Sequence, residues 1–396
     1  MMKSILDQDL YTFTVGQAIL ECFPEAMGVF HFINRKGTKF DKKFMNHFED
    51  SINAMASLKL LPEEKSFLQR ECRYLKPQYI DHLENFRFNP NSVQMQLKDG
   101  DLDIAIPLLW SDLVHWEVPS LYNVCDSYYK TIDMDWTAAN QKERFEAKSQ
   151  ALFENKVYFS DFGTRRRRNY ESQDLIVSIA KHNPYFLGTS NVHLAHKHGV
   201  KPRGTMSHQW IMGNSALESL AHANKYALHN WNRVYRGDLG IALPDTFGVE
   251  AFFGDFDKEL ARLFDGVRHD SGDPFEFARK VVDHYRKLYI DPSSKIIVFS
   301  DGLNVAKAIE IQKYCNELGI KSSAGIGTEF TNSFTKLDMV TPSPALNIVM
   351  KLRSIAKNAS SRQIQVVKIS DEPGKATGDT DALKVAMWTF FGKSLV

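Results

Sequence analysis

From about residue 156 the sequence repeats one arrangement. A short apolar or β-branched run meets a polar cluster rich in Gly, Ser, Thr and Asp, and a helical segment follows. The runs are residues 157–160, 185–187, 241–243, 267–269, 296–299 and 323–324; residues 201–206 fit more loosely. Strands joined through helical crossovers run parallel, so six or seven such units give a barrel or a doubly wound sheet. In a barrel every polar cluster after a strand lies on one rim, where active sites are built. The spacings vary too much for an ideal barrel.

The helices have readable ends. Asp273-Pro274 offers an N-cap and an N1 proline, with Phe277, Val281, Val282 and Tyr285 then on one face. The segment 303–318 stops at Gly319, a C′ glycine. Residues 1–150 read differently, as an aromatic-rich α+β unit. In it, 29–33 form a strand, 63–73 and 77–86 have helical spacing, and 139–153 form a solvated helix. Residues 93–97 alternate up to the hairpin signal Lys98-Asp99-Gly100. The expected organisation is therefore 1–150 as an N-terminal α+β domain and 151–340 as the unit carrying the rim. Residues 341–396 hold strands at 347–352 and 365–369 that return to the N-terminal domain, with 371–380 a mobile loop. Residues 331–396 show little that carries chemistry.

Composition limits the function classes. A net charge of +1 over 396 residues steers the chain toward neither nucleic acid nor an anionic membrane. No stretch approaches the ~18 apolar residues of a membrane span. The four cysteines are scattered without a Cys-x-x-Cys, which fits a reducing compartment. Asp7 precedes any apolar run, so no signal peptide is expected and the expected location is cytoplasmic.

Three ingredients share the predicted rim. Glycines with small hydroxyls, in Ser271-Gly272, Ser300-Asp301-Gly302 and Gly325-Ile326-Gly327-Thr328, either make βα turns or let backbone N–H groups approach an anion. No Walker loop or dinucleotide fingerprint is present. Asp270 and Asp301 are carboxylates of the kind that hold Mg²⁺ beside phosphates, whereas Asp273 reads as a helix cap. Arg165-Arg166-Arg167-Arg168 invites a nucleic-acid reading, which the neutral charge and the lone aromatic Phe162 oppose. On a helix about two of the four would face the rim, Arg165 first. His193-x-x-His196-x-His198 lacks a nearby acid or Cys ligand and reads as a solvated helix face. His208 follows the loose run at 201–206 and is either a base or nucleophile or a packed core histidine.

Taken together the motifs resemble the nicotinate phosphoribosyltransferase family. The resemblance runs from Leu6-Asp7-Gln8-Asp9-Leu10-Tyr11 through Phe32-Ile33-Asn34-Arg35, Asp161-Phe162-Gly163-Thr164-Arg165 and Gly188-Thr189-Ser190-Asn191. It continues through Gly204-Thr205-Met206-Ser207-His208-Gln209, Arg268-His269-Asp270-Ser271-Gly272, Ser300-Asp301-Gly302 and Gly325-Ile326-Gly327-Thr328. It implies an α/β fold, an irregular β/α barrel of the type II phosphoribosyltransferase kind beside an N-terminal α+β domain. The implied enzyme is ATP-dependent, of the ligase class, and makes nicotinate mononucleotide in NAD salvage. Nicotinate, 5-phosphoribosyl 1-pyrophosphate, ATP and water give the mononucleotide, pyrophosphate, ADP and phosphate through a phosphohistidine at His208.

By the same resemblance Phe162 stacks on the pyridine ring, Tyr11 covers its other face from the partner of a homodimer, and Arg165 meets the substrate's charge. Arg268 and Asp270 fall in the phosphoribosyl pyrophosphate and Mg²⁺ region. Ser271, Gly272, Ser300, Asp301, Gly302, Gly325, Gly327 and Thr328 fall by the phosphates. The related nicotinamide enzyme has aspartate where Ser190 stands, which implies an acid substrate here because a second carboxylate would repel it. Three rivals remain. A quinolinate enzyme would need more cations and no reactive His208. A sugar-phosphate aldolase or isomerase would need a strand-end lysine or carboxylate base, and no such lysine is apparent. An RNA-binding module would act through Arg165 to Arg168, with steeply salt-dependent binding.

Overall fold

Alternating residues around Lys98-Asp99-Gly100-Asp101 make the hairpin their pattern dictates. The structure is a computed structural model and describes residues 2–372 and 375–392. In it β1 spans Met27–Asn34, β2 Gln94–Lys98 and β3 Asp101–Leu109. Asp99 and Gly100 both have positive φ (52° and 81°), the type I′ geometry whose twist matches the flanking strands. Helices Pro62–Glu71, Pro77–Asn85 and Gln141–Glu154 lie where their periodicity put them.

The repeated units form one six-stranded parallel sheet. Its strands are β4 (Phe159–Asp161), β5 (Phe186–Thr189), β6 (Ile241–Ala242), β7 (Gly266–His269), β8 (Ile296–Phe299) and β9 (Lys321–Ile326), in the order β5-β4-β9-β8-β7-β6. Sequence neighbours lie side by side, and β9, the last, pairs with β4, the first. That pairing is the closure of a barrel rather than the reversal of a doubly wound sheet. The irregularity sits between β5 and β6. There the loose run at 201–206 forms no strand and touches the sheet through a single parallel bridge, Thr189 to Pro202.

The helices end as their caps dictate. Asp273 Oδ1 accepts from Glu276 N–H (2.7 Å) at the start of Pro274–Lys287, and Gly319 (φ 75°) closes Val305–Leu318. Two short strands, β10 (Phe334–Thr335) and β11 (Pro342–Ser343), pair with each other. β12 (Ile348–Ala356) and β13 (Ile364–Gln365) join the antiparallel sheet, in the order β13-β12-β1-β3-β2. β12 pairs with β1 from Asn34↔Ile348 to Met27↔Ala356. Of the expected strand at 365–369 only its start is a strand. The segment 371–380, read as a mobile loop, lies partly outside the described residues. Of the rest, Asp371 accepts from Val249 N–H and Thr377 pairs with Lys368. One continuous apolar core underlies both sheets, with Trp110, Trp210 and Trp231 fully buried. No helix among the described residues is long and apolar enough to cross a membrane.

Candidate active site

A cavity of about 470 Å³ opens at the C-terminal ends of the parallel strands, roofed by β1 and β12 of the antiparallel sheet. The rim loops bring Phe162, Arg165, Ser190, His208, Arg268, Asp270, Ser300, Asp301, Gly302, Gly327 and Thr328 to one wall. Tyr11 joins them at the start of helix Leu10–Cys22. It does so within its own chain, because Leu10 N–H donates to Ser190 C=O (2.7 Å) and ties the helix start to the β5 loop. The expectation that Tyr11 serves a partner's site is corrected accordingly.

Three sequence candidates do not line the cavity. A Cβ on Gly325 would lie 2.4 Å from the Phe162 ring, so this glycine lets the ring lie flat against β9 rather than offering its amide to phosphate. Ser271 is buried and donates to Asp245 Oδ2 (2.8 Å). Gly272 (φ 82°) accepts from His269 Nε2 through its carbonyl.

His208 is buried at the start of helix His208–Leu217, and its Nε2 carries every hydrogen bond the ring makes among the described residues. Nε2 lies 2.7 Å from Asp245 Oδ1, an oxygen that can only accept; with the proton assigned to Nε2 on that contact, the lone pair is on Nδ1. The Lys368 ammonium donates to Asp245 Oδ2 (2.7 Å) and sits 2.9 Å from Nε2. Burial and the Lys368 charge lower the pKa of His208 to about 4, against the pull of Asp245. Burial alone would raise Asp245, but His208 and Lys368 hold it well below the usual carboxylate range. Asp270 Oδ2 is 3.6 Å from Nε2, and Asp270 Oδ1 accepts from Ser300 Oγ (2.8 Å). Burial raises Asp270, and Arg268 and His208 more than offset it.

His208, Asp245 and Asp270 place ligand atoms within 4.8 Å of one another, and Asp301 is not among them. This trio does not suit a resident metal, because the Lys368 ammonium already occupies the cation's place, 2.7 Å from Asp245 Oδ2 and 2.9 Å from His208 Nε2. Asp270 and Asp301, on successive rim loops, are the hard oxygen ligands that Mg²⁺ prefers. Asp270 Oδ1 accepts from Ser300, and Asp301 Oδ1 is paired with the Lys375 ammonium, so among the described residues Asp301 Oδ2 is the atom left for Mg²⁺ on that side.

At the other end of the cavity Phe162 and Tyr11 accompany Arg165, which lies between two buried carboxyls. Glu117 Oε1 is 3.7 Å from Arg165 Nη1, and Glu117 Oε2 accepts from Gln209 Nε2. Asp9 Oδ1 accepts from Ser190 Oγ (2.6 Å). Burial raises the pKa of both acids, and Arg165 partly offsets it. Ser190 therefore does not keep this end free of carboxylate, since its hydroxyl is spent on Asp9. The sequence argument from position 190 alone is incomplete for that reason.

Residues 6–125 match the family model of the nicotinate phosphoribosyltransferase N-terminal domain, and residues 157–394 match the model of the nicotinate phosphoribosyltransferase family. The chain belongs to the nicotinate phosphoribosyltransferase family. A nicotinate phosphoribosyltransferase of Methanosarcina acetivorans is 43% identical over 412 aligned residues, covering 100% of both chains. That of Saccharomyces cerevisiae is 36% identical over 97% of this chain and 94% of its own. The crystal structure of the Porphyromonas gingivalis enzyme superposes with a TM-score of 0.94 at 42% identity, over 98% of this chain and 100% of that one.

Membership in this family leaves the arginine run to be explained, and the structure divides it. Residues Thr164–Arg166 form a single 3-10 turn, not the expected helix, and Arg165 and Arg166 face the cavity. Arg167 is buried against Asp7, and Arg168 lies over the Tyr129 ring (3.6 Å) with bonds to Ser343. Burial of two of the four removes the RNA-binding reading. The His193, His196 and His198 side chains are not simply solvated either: they meet Tyr170, the Phe67 ring and Asp174.

Sequence reasoning missed a whole set of cations. Lys351 on β12, and Lys368 and Lys375 beyond it, all line the cavity, although residues 331–396 read as chemically quiet. Lys375 donates to Asp301 Oδ1 (2.9 Å). Burial and the Lys368 charge lower the pKa of Lys351 to about 8. None of these lysines follows a parallel strand, so the rim rule did not single them out. Asp245 followed a predicted strand, in Pro244-Asp245-Thr246, and that was its one available signal.

Proposed function

We propose that the chain is an ATP-coupled nicotinate phosphoribosyltransferase that makes nicotinate mononucleotide with His208 as the phosphoryl acceptor. The observation that carries the coupling is the ring of His208: Asp245 engages Nε2 and leaves the Nδ1 lone pair as the nucleophile. Nδ1 attacks the γ-phosphorus of ATP, the bond to the bridging oxygen breaks, and ADP leaves. Asp245 stabilises the imidazolium that forms, as the acid of a catalytic triad does.

In the synthetic step the pyridine nitrogen attacks C1 of the ribose, the C1–O bond breaks, and pyrophosphate leaves. The transition state is oxocarbenium-like, so the site has to align the reactants and neutralise the leaving group. Arg268, Lys368 and the neighbouring cations supply that charge. Mg²⁺, held by Asp270 and Asp301, would supply further neutralisation of the diphosphate. Water then releases phosphate from His208. Phe162 and Tyr11 bracket the flat ring, and Arg165 faces its carboxylate. We take the protein to be a cytoplasmic homodimer, on its unpaired cysteines and its family. Tyr11 needs no second copy to reach the site.

The test is to incubate the protein with Mg²⁺, phosphoribosyl pyrophosphate and nicotinate, with and without ATP, and to measure nicotinate mononucleotide beside a nicotinamide control. ATP-stimulated product from nicotinate alone is expected. Product that ignores ATP overturns the coupling. No product from either base returns weight to the sugar-phosphate reading, for which Lys351, Lys368 and Lys375 now provide amines.

A further inference from the structure

The end of the cavity holding Phe162 is assembled from two separate pieces of chain. One is the N-terminal arm, which carries Asp9 and Tyr11. The other is the β4 loop, which carries Phe162 and Arg165. Beneath them Arg167 forks onto Asp7, with Nη1 to Oδ1 and Nη2 to Oδ2 both at 2.8 Å, and the two side chains are 2% and 0% exposed.

The pair does not stand alone. Asn191 Nδ2 donates to Asp7 Oδ1 (2.8 Å), and Arg167 Nη1 also donates to Gln173 Oε1 (3.1 Å). Gln173 Nε2 donates to Asp161 Oδ2 (2.7 Å), which also accepts from Thr189 Oγ1 (2.7 Å). One buried polar network thus joins the arm, the β4 loop and the β5 loop. Its members include the acids and amides of the motifs Leu6-Asp7-Gln8-Asp9, Asp161-Phe162-Gly163-Thr164 and Gly188-Thr189-Ser190-Asn191, none of which it presents to the cavity from Asp7, Asp161, Thr189 or Asn191.

A buried ion pair is a poor source of net stability, because desolvation offsets the attraction and an apolar pair of similar size does as well. What an apolar pair does not reproduce is a planar two-bond fork, which fixes distance and angle together. We propose that Asp7 and Arg167 are positioning residues that set the spacing between Tyr11 and Phe162 and the aim of Arg165. This rests on the nicotinate reading for its substrate and on the Asp7–Arg167 fork for its geometry.

The test compares wild type with Arg167→Lys, which keeps charge without the fork, and with the apolar double variant Asp7→Leu/Arg167→Met, which keeps the fold if the single changes destabilise it. Tm, the KM for nicotinate and for phosphoribosyl pyrophosphate, and amide hydrogen exchange at Leu10 and Val192 are measured. Expected for a double variant with wild-type Tm is a nicotinate KM raised about tenfold or more, with the phosphoribosyl pyrophosphate KM within about twofold. Exchange at Leu10, whose N–H bonds Ser190 C=O, and at Val192, whose N–H bonds Gln8 C=O, is expected to speed up about tenfold without any substrate. A folded double variant with wild-type exchange and wild-type nicotinate KM overturns the proposal, as does an equal rise in both KM values. If wild type turns over no nicotinate, the substrate reading falls, and exchange alone decides the clamp.

Discussion

The two ends of the cavity solve different problems. The end with Phe162 and Tyr11 sets Arg165 beside the buried carboxyls of Asp9 and Glu117. At the other end Arg268 and Lys368 act on Asp270 and His208, Lys375 pairs with Asp301, and Lys351 lies where it feels both Glu117 and Asp270. On the proposed function a flat monoanion is selected by shape, with Arg165 facing its charge. A diphosphate is held by charge, and geometry matters less because several donors share the load. The first end therefore depends on a clamp at a distance, the second on local density of cations.

His208→Ala gives the largest expected change, at the phosphate end. ATP stimulation is lost, with a fall in ATP-driven turnover on the order of 10²-fold or more, while slow ATP-independent synthesis persists. Full ATP stimulation in this variant would show that another group accepts the phosphoryl.

Lys368→Met sharpens the same end through pH. With the His208 pKa near 4, the acid limb of ATP-stimulated activity lies far below the usual histidine range in wild type. Removing the Lys368 charge moves that limb upward, and a pH–rate profile reads it. Stability has the matching sign. A histidine whose folded pKa is lowered contributes fully above the unfolded value of 6.5, and loses that contribution as pH falls through about 4. The loss is on the order of 3 kcal/mol and is visible as a fall in Tm absent from His208→Ala.

At the pyridine end, Ser190→Asp sets a second carboxylate against Asp9 and competes for Arg165. The nicotinate KM should rise about tenfold with little change for phosphoribosyl pyrophosphate. Unaffected nicotinate turnover would remove position 190 from acid selection. Phe162→Ala has the smallest expected effect, a three- to tenfold rise in nicotinate KM from lost stacking. An equal loss for both substrates would dissolve the distinction between the two ends.

The sequence by itself determined the parallel strands, their helical crossovers and most of the rim. Side chains within a few residues of a strand's C-terminal end are placed by local periodicity, and Phe162, Arg165, Ser190, Asp270, Ser300 and Asp301 all stand there. The hairpin at Asp99-Gly100 and the caps at Asp273 and Gly319 were legible for the same reason, because each is decided by its own backbone torsions. Only the tertiary structure decided what lies farther apart in the chain. Lys368 reaches His208 across 160 residues, Arg167 reaches Asp7 across 160, and Asp9 meets Ser190 across 181. The sign of the charge around a ligand depends on such encounters. Two arginines in one run faced the cavity and two were buried because long-range partners, not local spacing, set the burial of each charge.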